Sequence, residues 1–328
     1  MIEIPRWDAL PGDAARCLTR VDEWGLRLRD SAVLAEFSEP VARRVTGLHG
    51  AELFDALDQF AADHWDFRGG RERNLARTPG FTTAQSSGLE AAAEELGLMG
   101  TLPPRQKHYD AVIMTGGMVR AGIVKPRYLR ELSERGLQWN EGIFLGGFRQ
   151  FGGDETLLAP RLGVDGDNEF DAMTAGMRQA FGLGAPPSTH GFNSATGNEP
   201  QPSDWREDSW IWRGRTLRVI AAPSSEPERR RANTVDTYRF WAARAKGIRS
   251  VLILTTPIYV PYQGAGAIEV LGAECGFSIE TVAVSAAASD LGENSQLFLP
   301  HHRAQELRSA IHGMRNLRQT LMVVDGRD

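Results

Sequence analysis

The chain has 328 residues, 41% hydrophobic and 24% charged, and its 37 Lys and Arg against 42 Asp and Glu leave a formal net charge of −5. That length suits about two ordinary globular domains; no run reaches the ~20 apolar residues of a bilayer span, and the charge gives no overall attraction to nucleic acid. Cys17 and Cys275 stand alone, which excludes a disulfide framework and any CxxC metal or redox motif.

The first residues, MIEIPRWDALPGDAAR, show no basic segment followed by an apolar one, so a cytoplasmic location without membrane contact is expected. Residues 1–108 are expected to be a helical N-terminal region. Helices are predicted over 13–37, 50–64 and 84–98; in the second, Leu53, Leu57, Phe60 and Ala61 recur on one face. The Gly- and Arg-rich stretch before the third is either a solvated loop or a lobe of a site carrying Arg68, Arg71 or Arg73.

Residues 109–328 are expected to form a doubly wound, mostly parallel α/β domain. Strand YDAVIMT ends in Gly116-Gly117 and precedes helix KPRYLRELSERG; strand GIFL ends in Gly146-Gly147 and precedes helix NEFDAMTAGMRQAFG. Then follow strand LRVIAAPS, helix TVDTYRFWAARAKG, strand SVLILTTP, helix GAGAIEVLGAECG and strand SIETVAV. Short, almost continuous apolar strands between helices are the pattern of a sheet covered on both faces. Pro126 suits a first helical position, and Gly136, Gly182, Gly247 and Gly276 suit the residue past each helix end. A last helix is expected over 301–317, with TLMVV as an added edge strand.

Ligands of such sheets bind outside the carboxyl ends of the strands, where helix N-termini direct free N–H groups outward. The residues expected there to hold a ligand or cofactor are Thr115, Gly116, Gly117, Gly146, Gly147, Arg149, Ser224, Arg230, Arg231, Asn233, Thr234, Thr255 and Thr256. Glu169, opening a helix beside them, is either a first-turn acid favoured by the dipole or a carboxylate for ribose hydroxyls or general-base work. Glu155 is expected to be a solvated loop acid. Arg229, Arg230 and Arg231 oppose the dipole of the helix that Asn233 caps, so either Glu226 and Glu228 or an anionic ligand must offset them. No P-loop, G-x-G-x-x-G, G-x-S-x-G or S-x-x-K motif occurs, and the seven histidines lack i, i+4 spacing, so no metal is expected.

The order VIMTGG, FLGG, DNEFDAM, RRANTVDTY and LILTTPIYVPYQ resembles the SanA/ElyC/YdcF-like family, bacterial proteins with a Rossmann-like α/β fold, over about residues 109–285. The resemblance implies that Gly116, Gly117, Glu169, Asn233, Thr234 and Thr255 line the pocket, and that S-adenosylmethionine is a candidate ligand; no agreed activity comes with it. The family's His and Arg after the Thr-Thr strand are replaced here by Tyr259 and Tyr262, neutral near pH 7 but able to stack on a base or donate a hydrogen bond.

Residues 182–216 form a long insertion between helix and strand, and its tryptophans Trp205, Trp210 and Trp212 are expected to fold over the strand ends as a lid, with a small hairpin or packing on the N-terminal helices as alternatives. Two functions stand side by side. One is an enzyme, a transferase or hydrolase, acting on a nucleotide- or S-adenosylmethionine-type molecule with Glu169, Tyr259 and Tyr262 as catalytic residues. The other is a non-catalytic small-molecule-binding or regulatory protein that keeps the pocket.

Overall fold

The computed structural model describes residues 2–67, 79–193 and 200–326; Arg68, Arg71 and Arg73 lie outside the described residues. The elements run α1 (Asp13–Asp30), α2 (Val33–Val45), α3 (Gly50–Trp65), α4 (Thr83–Glu95), β1 (His108–Thr115), α5 (Val119–Glu134), β2 (Gln138–Gly146), α6 (Glu155–Arg161), α7 (Glu169–Phe181), β3 (Ser188–Phe192), β4 (Trp205–Trp212), β5 (Arg215–Ala221), α8 (Thr234–Ala242), β6 (Ser250–Thr255), α9 (Val260–Ala267), β7 (Ser278–Ala283), α10 (Ala286–Ser289) and α11 (Pro300–Val324). They divide into two compact units. One comprises Met1–Leu102, Pro257–Glu274 and Leu297–Asp328; the other comprises Pro103–Thr256 and Cys275–Gln296.

The helical unit is built around α11, which packs on α1, α3, α4 and α9. Its stripe Leu307, Ala310, Ile311, Met314, Leu317 and Leu321 is fully buried, a three- and four-residue spacing that also explains a departure from expectation. TLMVV is the last turn of this helix and not an edge strand, because Leu321 continues the buried face. The helix expected over 13–37 is two, α1 and α2, broken where Ser31 turns to an extended conformation and its hydroxyl bonds to the Leu28 carbonyl at 2.6 Å. Trp24, with no exposed surface, donates its indole N–H to the Leu96 carbonyl at 3.1 Å, so a large apolar body is buried with its polar atom satisfied.

The second unit is the α/β unit. Its seven strands lie in the order β3-β4-β5-β2-β1-β6-β7; β5, β2, β1, β6 and β7 are parallel, while β4 runs antiparallel to β5 and β3 antiparallel to β4. Ala111, Val112, Ile113 and Met114 are all without exposure, so both faces of β1 are covered, as its unbroken apolar run requires. On one face α5 and α7 pack against each other and against Met114, Phe144 and Val219. α5 begins at Val119, seven residues before Pro126, so Pro126 lies inside the helix and not at its first position. Gly136, Gly182, Gly247 and Gly276 each have positive φ, between 64° and 101°, as expected of residues that close helices.

The tryptophan end of the insertion does not fold over the strand ends as a lid; residues 200–204, ahead of it, do reach them, the Pro202 carbonyl accepting from the Ser224 amide at 2.7 Å. β4 pairs along the whole length of β5 and β3 pairs with its other side, so the tryptophan-rich half is a strand within the sheet, one in from the edge strand β3. The alternation in WREDSWIW sets this outcome: Trp210 and Trp212 face the core, Trp212 stacking on Trp139 with centroids 6.1 Å apart, while Ile211 faces outward. Among the described residues no helix is long and apolar enough to cross a membrane.

Candidate functional site

The strand order reverses at β1: the chain passes from β1 to β2 on one side, and later from β5 to β6 on the other. At such a switch point the connections diverge and leave a crevice at the carboxyl ends. The two strands that border it end in Thr115 and Thr255, fully buried residues whose hydroxyls lie 3.2 Å apart.

Glu169 is the centre of this end of the sheet. Asn168 caps α7 by accepting from the Asp171 amide, and the Glu169 amide donates to the Arg149 carbonyl at 2.8 Å, which fixes where the first turn begins. The Glu169 carboxylate then accepts from the Gly117 amide and, at 3.4 Å, from the Gly147 amide. Both glycine pairs therefore do what a close approach demands. A Cβ at Gly116 would fall on the Glu169 carboxylate, and one at Gly146 would come within 2.8 Å of Met173. The amides expected to meet a ligand's anionic group thus already hold an anion supplied by the chain.

Burial pushes the Glu169 carboxyl above its ordinary pKa, against the opposite pull of Arg149, Arg231 and the two glycine amides. A buried carboxyl with a raised pKa at a strand-end crevice is suited to carrying a proton. Arg149 does not point its guanidinium outward as a free ligand-binding cation; it grips Glu155 through both terminal nitrogens, at 2.7 and 2.8 Å. Glu155 is not a solvated loop acid. It has no exposed surface and also accepts from the amides of Val119 at 3.0 Å and Gly152 at 3.3 Å, so it joins the first turn of α5 to the loop after β2.

Lys125 belongs to the same locale and was not among the expected site residues. Its Nζ, without exposed surface, donates to the Thr115 carbonyl at 2.5 Å, the Thr115 hydroxyl at 3.0 Å and the Gly116 carbonyl at 3.3 Å. It thus holds the chain immediately before the Gly117 amide that donates to Glu169. The signal was readable: a lysine among Gly122, Ile123, Val124, Tyr128 and Leu129 sits in the buried stripe of a helix once that helix is started at Val119.

The β5–α8 connection resolves the arginine run. Asn233 and Asp236 form a reciprocal capping box with both bonds at 2.9 Å, and Thr234 is the first helical residue. Arg230 is taken up by Asp236, by Glu226 at 3.1 Å and by the Ser225 hydroxyl at 3.0 Å; Arg229 reaches Glu226 at 3.3 Å. The chain's own acids offset both. Ser224 is buried and its hydroxyl accepts from the Glu226 amide at 3.0 Å. The Arg231 charge acts on Glu169, and together with Gly147, Phe148, Ala222 and the insertion residues Pro200, Pro202 and Asp204 it lines a hollow of about 80 Å³. That space admits an anionic group of phosphate or carboxylate size, well below the ~300–1,000 Å³ of a whole small-molecule pocket. Thr256 ends this segment of the α/β unit, whereas Tyr259, in a buried 3-10 turn, and Tyr262, packed on Gly313, belong to the helical unit. Among the described residues no three His, Cys, Asp or Glu side chains group to hold a metal ion.

A family model described as the Rv3785 N-terminal domain matches residues 8–97. The chain is similar along almost its whole length to the uncharacterized proteins Rv3785 and MT3893 of Mycobacterium tuberculosis and Mb3814 of Mycobacterium bovis, 26% identical over 339 residues that cover 94% of this chain and 91% of each relative. No solved structure matches. These relatives are bacterial, and they overturn the SanA/ElyC/YdcF-like resemblance: the matching family model lies in the helical N-terminal part, and no match to that family accompanies it. The motifs that carried the resemblance are short strand-end and helix-start segments, of a kind that unrelated proteins of one architecture share.

Proposed function

We propose that the α/β unit is an enzyme acting on a small anionic molecule of nucleotide or S-adenosylmethionine type, bound at the carboxyl ends of β1, β2 and β5. The observation that carries this reading is the Glu169 carboxyl, buried between the glycine amides that follow β1 and β2 and biased by its burial toward the protonated form. The anionic part of the ligand sits beside Arg231 and Gly147, where the hollow and the cation coincide. Glu169 then gives or takes the proton as general acid or base. Gly117 and Gly147 hold its carboxylate, and Lys125 and the Arg149–Glu155 pair keep both glycine turns in place.

A second reading, a non-catalytic binding protein, is favoured by one specific feature: Arg149 and Arg230 are already paired with the chain's own carboxylates. Melting curves with nucleotides, S-adenosylmethionine, sugar phosphates and amino acids decide between them. A ligand that raises the melting temperature of the parent but not of Arg231→Ala, with the ligand-free melting temperatures equal, supports the site; no response to any anionic ligand sinks it. Turnover of that ligand, lost in Glu169→Gln while its thermal shift persists, marks catalysis, whereas a shift without turnover in the parent leaves the binding reading.

A further inference from the structure

The tip of the β4–β5 hairpin stands at the end of the sheet opposite the switch-point crevice. Trp212 pairs with Arg215, so Arg213 and Gly214 alone make the turn, with φ of 50° and 79°. A two-residue turn with both φ positive matches the twist of the strands, but its first position suits Asn, Asp or Gly. An arginine there is held in the left-handed region against its preference.

Around that turn is a layered cluster. Trp139 and Trp212 stack at an interplanar angle of 8°, and Phe181 meets Trp212 edge-on at 5.0 Å. The Arg213 guanidinium lies 4.8 Å from the Trp212 centroid, and that of Arg215 lies 4.8 Å from Trp139 and 6.0 Å from Trp212. Arg130, 5.0 Å from the Trp212 centroid, is neutralised by Glu134 at 2.7 Å. The other two are not. Among the described residues neither Arg213 nor Arg215 has a carboxylate partner, and Arg215 bonds only to the neutral oxygens of Ser133 at 2.7 Å and Gln138 at 2.6 Å. Burial, and then the neighbouring Arg213 charge, lowers the Arg215 pKa, the sign of two cations set side by side without compensation.

We propose that Arg213 and Arg215, braced on the Trp139–Trp212 stack, form a docking surface for an acidic segment of a partner protein. Guanidinium groups present fixed forks that match carboxylates, and arginine and tryptophan are the residues that concentrate binding energy at interfaces. The shape also decides the kind of partner, since a protruding turn offers no concavity to enclose a small molecule. A nucleic acid fits less well: Trp139 and the guanidiniums already cover the Trp212 ring against a stacking base.

The test is fluorescence anisotropy of a labelled peptide of alternating Glu and Leu, with a Lys-Leu peptide and an oligothymidylate as comparisons. The full chain is expected to bind the acidic peptide and not the basic one. Arg213→Gly and Arg215→Gln are each expected to weaken it about tenfold. Glycine relieves the turn, so Arg213→Gly is expected to melt about 2 °C higher than the parent, which separates lost binding from lost folding. Unchanged peptide affinity in Arg213→Gly overturns the proposal, and so does tighter binding of the oligothymidylate than of the peptide. The reading does not depend on Glu169, whose substitution should leave peptide binding as it is.

Discussion

Glu169 and Glu155 are both buried carboxylates, yet their surroundings give them opposite tasks. Glu155 is bound by both ends of Arg149 and by two amides, so it is a fixed tie between segments. Breaking a buried pair strands the surviving charge, and Glu155→Ala is expected to cost about 3–5 kcal/mol, read as a lower urea midpoint. An unchanged midpoint would show that Arg149 finds another partner. Glu169 is also held by two amides, with Arg149 and Arg231 acting on it from nearby, yet burial outweighs them and raises its pKa. Folding therefore favours its protonated form: the stability linked to it is complete below the unfolded value of ~4.3 and falls as pH rises through the folded value. Gln cannot ionise. Melting temperatures of the parent and Glu169→Gln should coincide at the acid end and separate as pH rises, with the variant higher. Asp171, also raised by burial, shifts both curves alike and cancels in the difference. A difference that stays flat with pH would mean that Glu169 is ordinary.

At the scale of elements, the approach of α5 to α7 sets how far Glu169 reaches. The helices cross on glycines: a Cβ at Gly122 would lie 2.9 Å from the Ala172 backbone, and one at Gly176 would fall on the Gly122 carbonyl. Gly176→Ala must push the helices apart, with an expected loss of about 1–3 kcal/mol in urea unfolding. Because α7 carries Glu169, the same change should flatten the pH-dependent difference just described. Gly147 provides the contrast. A Cβ there meets nothing within 4 Å, so Gly147→Ala is expected to stay within about 0.5 kcal/mol of the parent in stability while weakening ligand-induced thermal shifts. A large stability loss in Gly147→Ala would assign that glycine to the fold alone.

The whole molecule is two units drawn from interleaved segments, and the helical one is completed by α11 from the far end of the chain. Deleting residues 297–328 removes Leu307, Ile311, Met314, Leu317 and Leu321 from its core, each worth about 1.5–3 kcal/mol of burial. The truncated chain is expected to lose the helical signal of that unit while the sheet of the α/β unit still melts cooperatively. Full retention of helix by circular dichroism would show that α11 is dispensable.

The parallel strands, the helices between them and their glycine ends were legible because each rests on local rules: apolar runs for strands covered on both faces, and left-handed glycines where helices stop. So was the placement of Glu169 beside Gly117 and Gly147, since helix starts and strand ends share one edge in this architecture. Other features depend on pairings between distant segments, which no local pattern encodes. The partner of Arg149 is Glu155 and the partners of Arg230 are Glu226 and Asp236, so cations read as ligand-holding are tied internally. Likewise the tryptophan segment became a strand of the sheet because β5 offered an open row of backbone groups, a fact of strand order alone. Local chemistry thus chose which residues reach the strand ends, and the tertiary structure chose which of their charges are already spoken for.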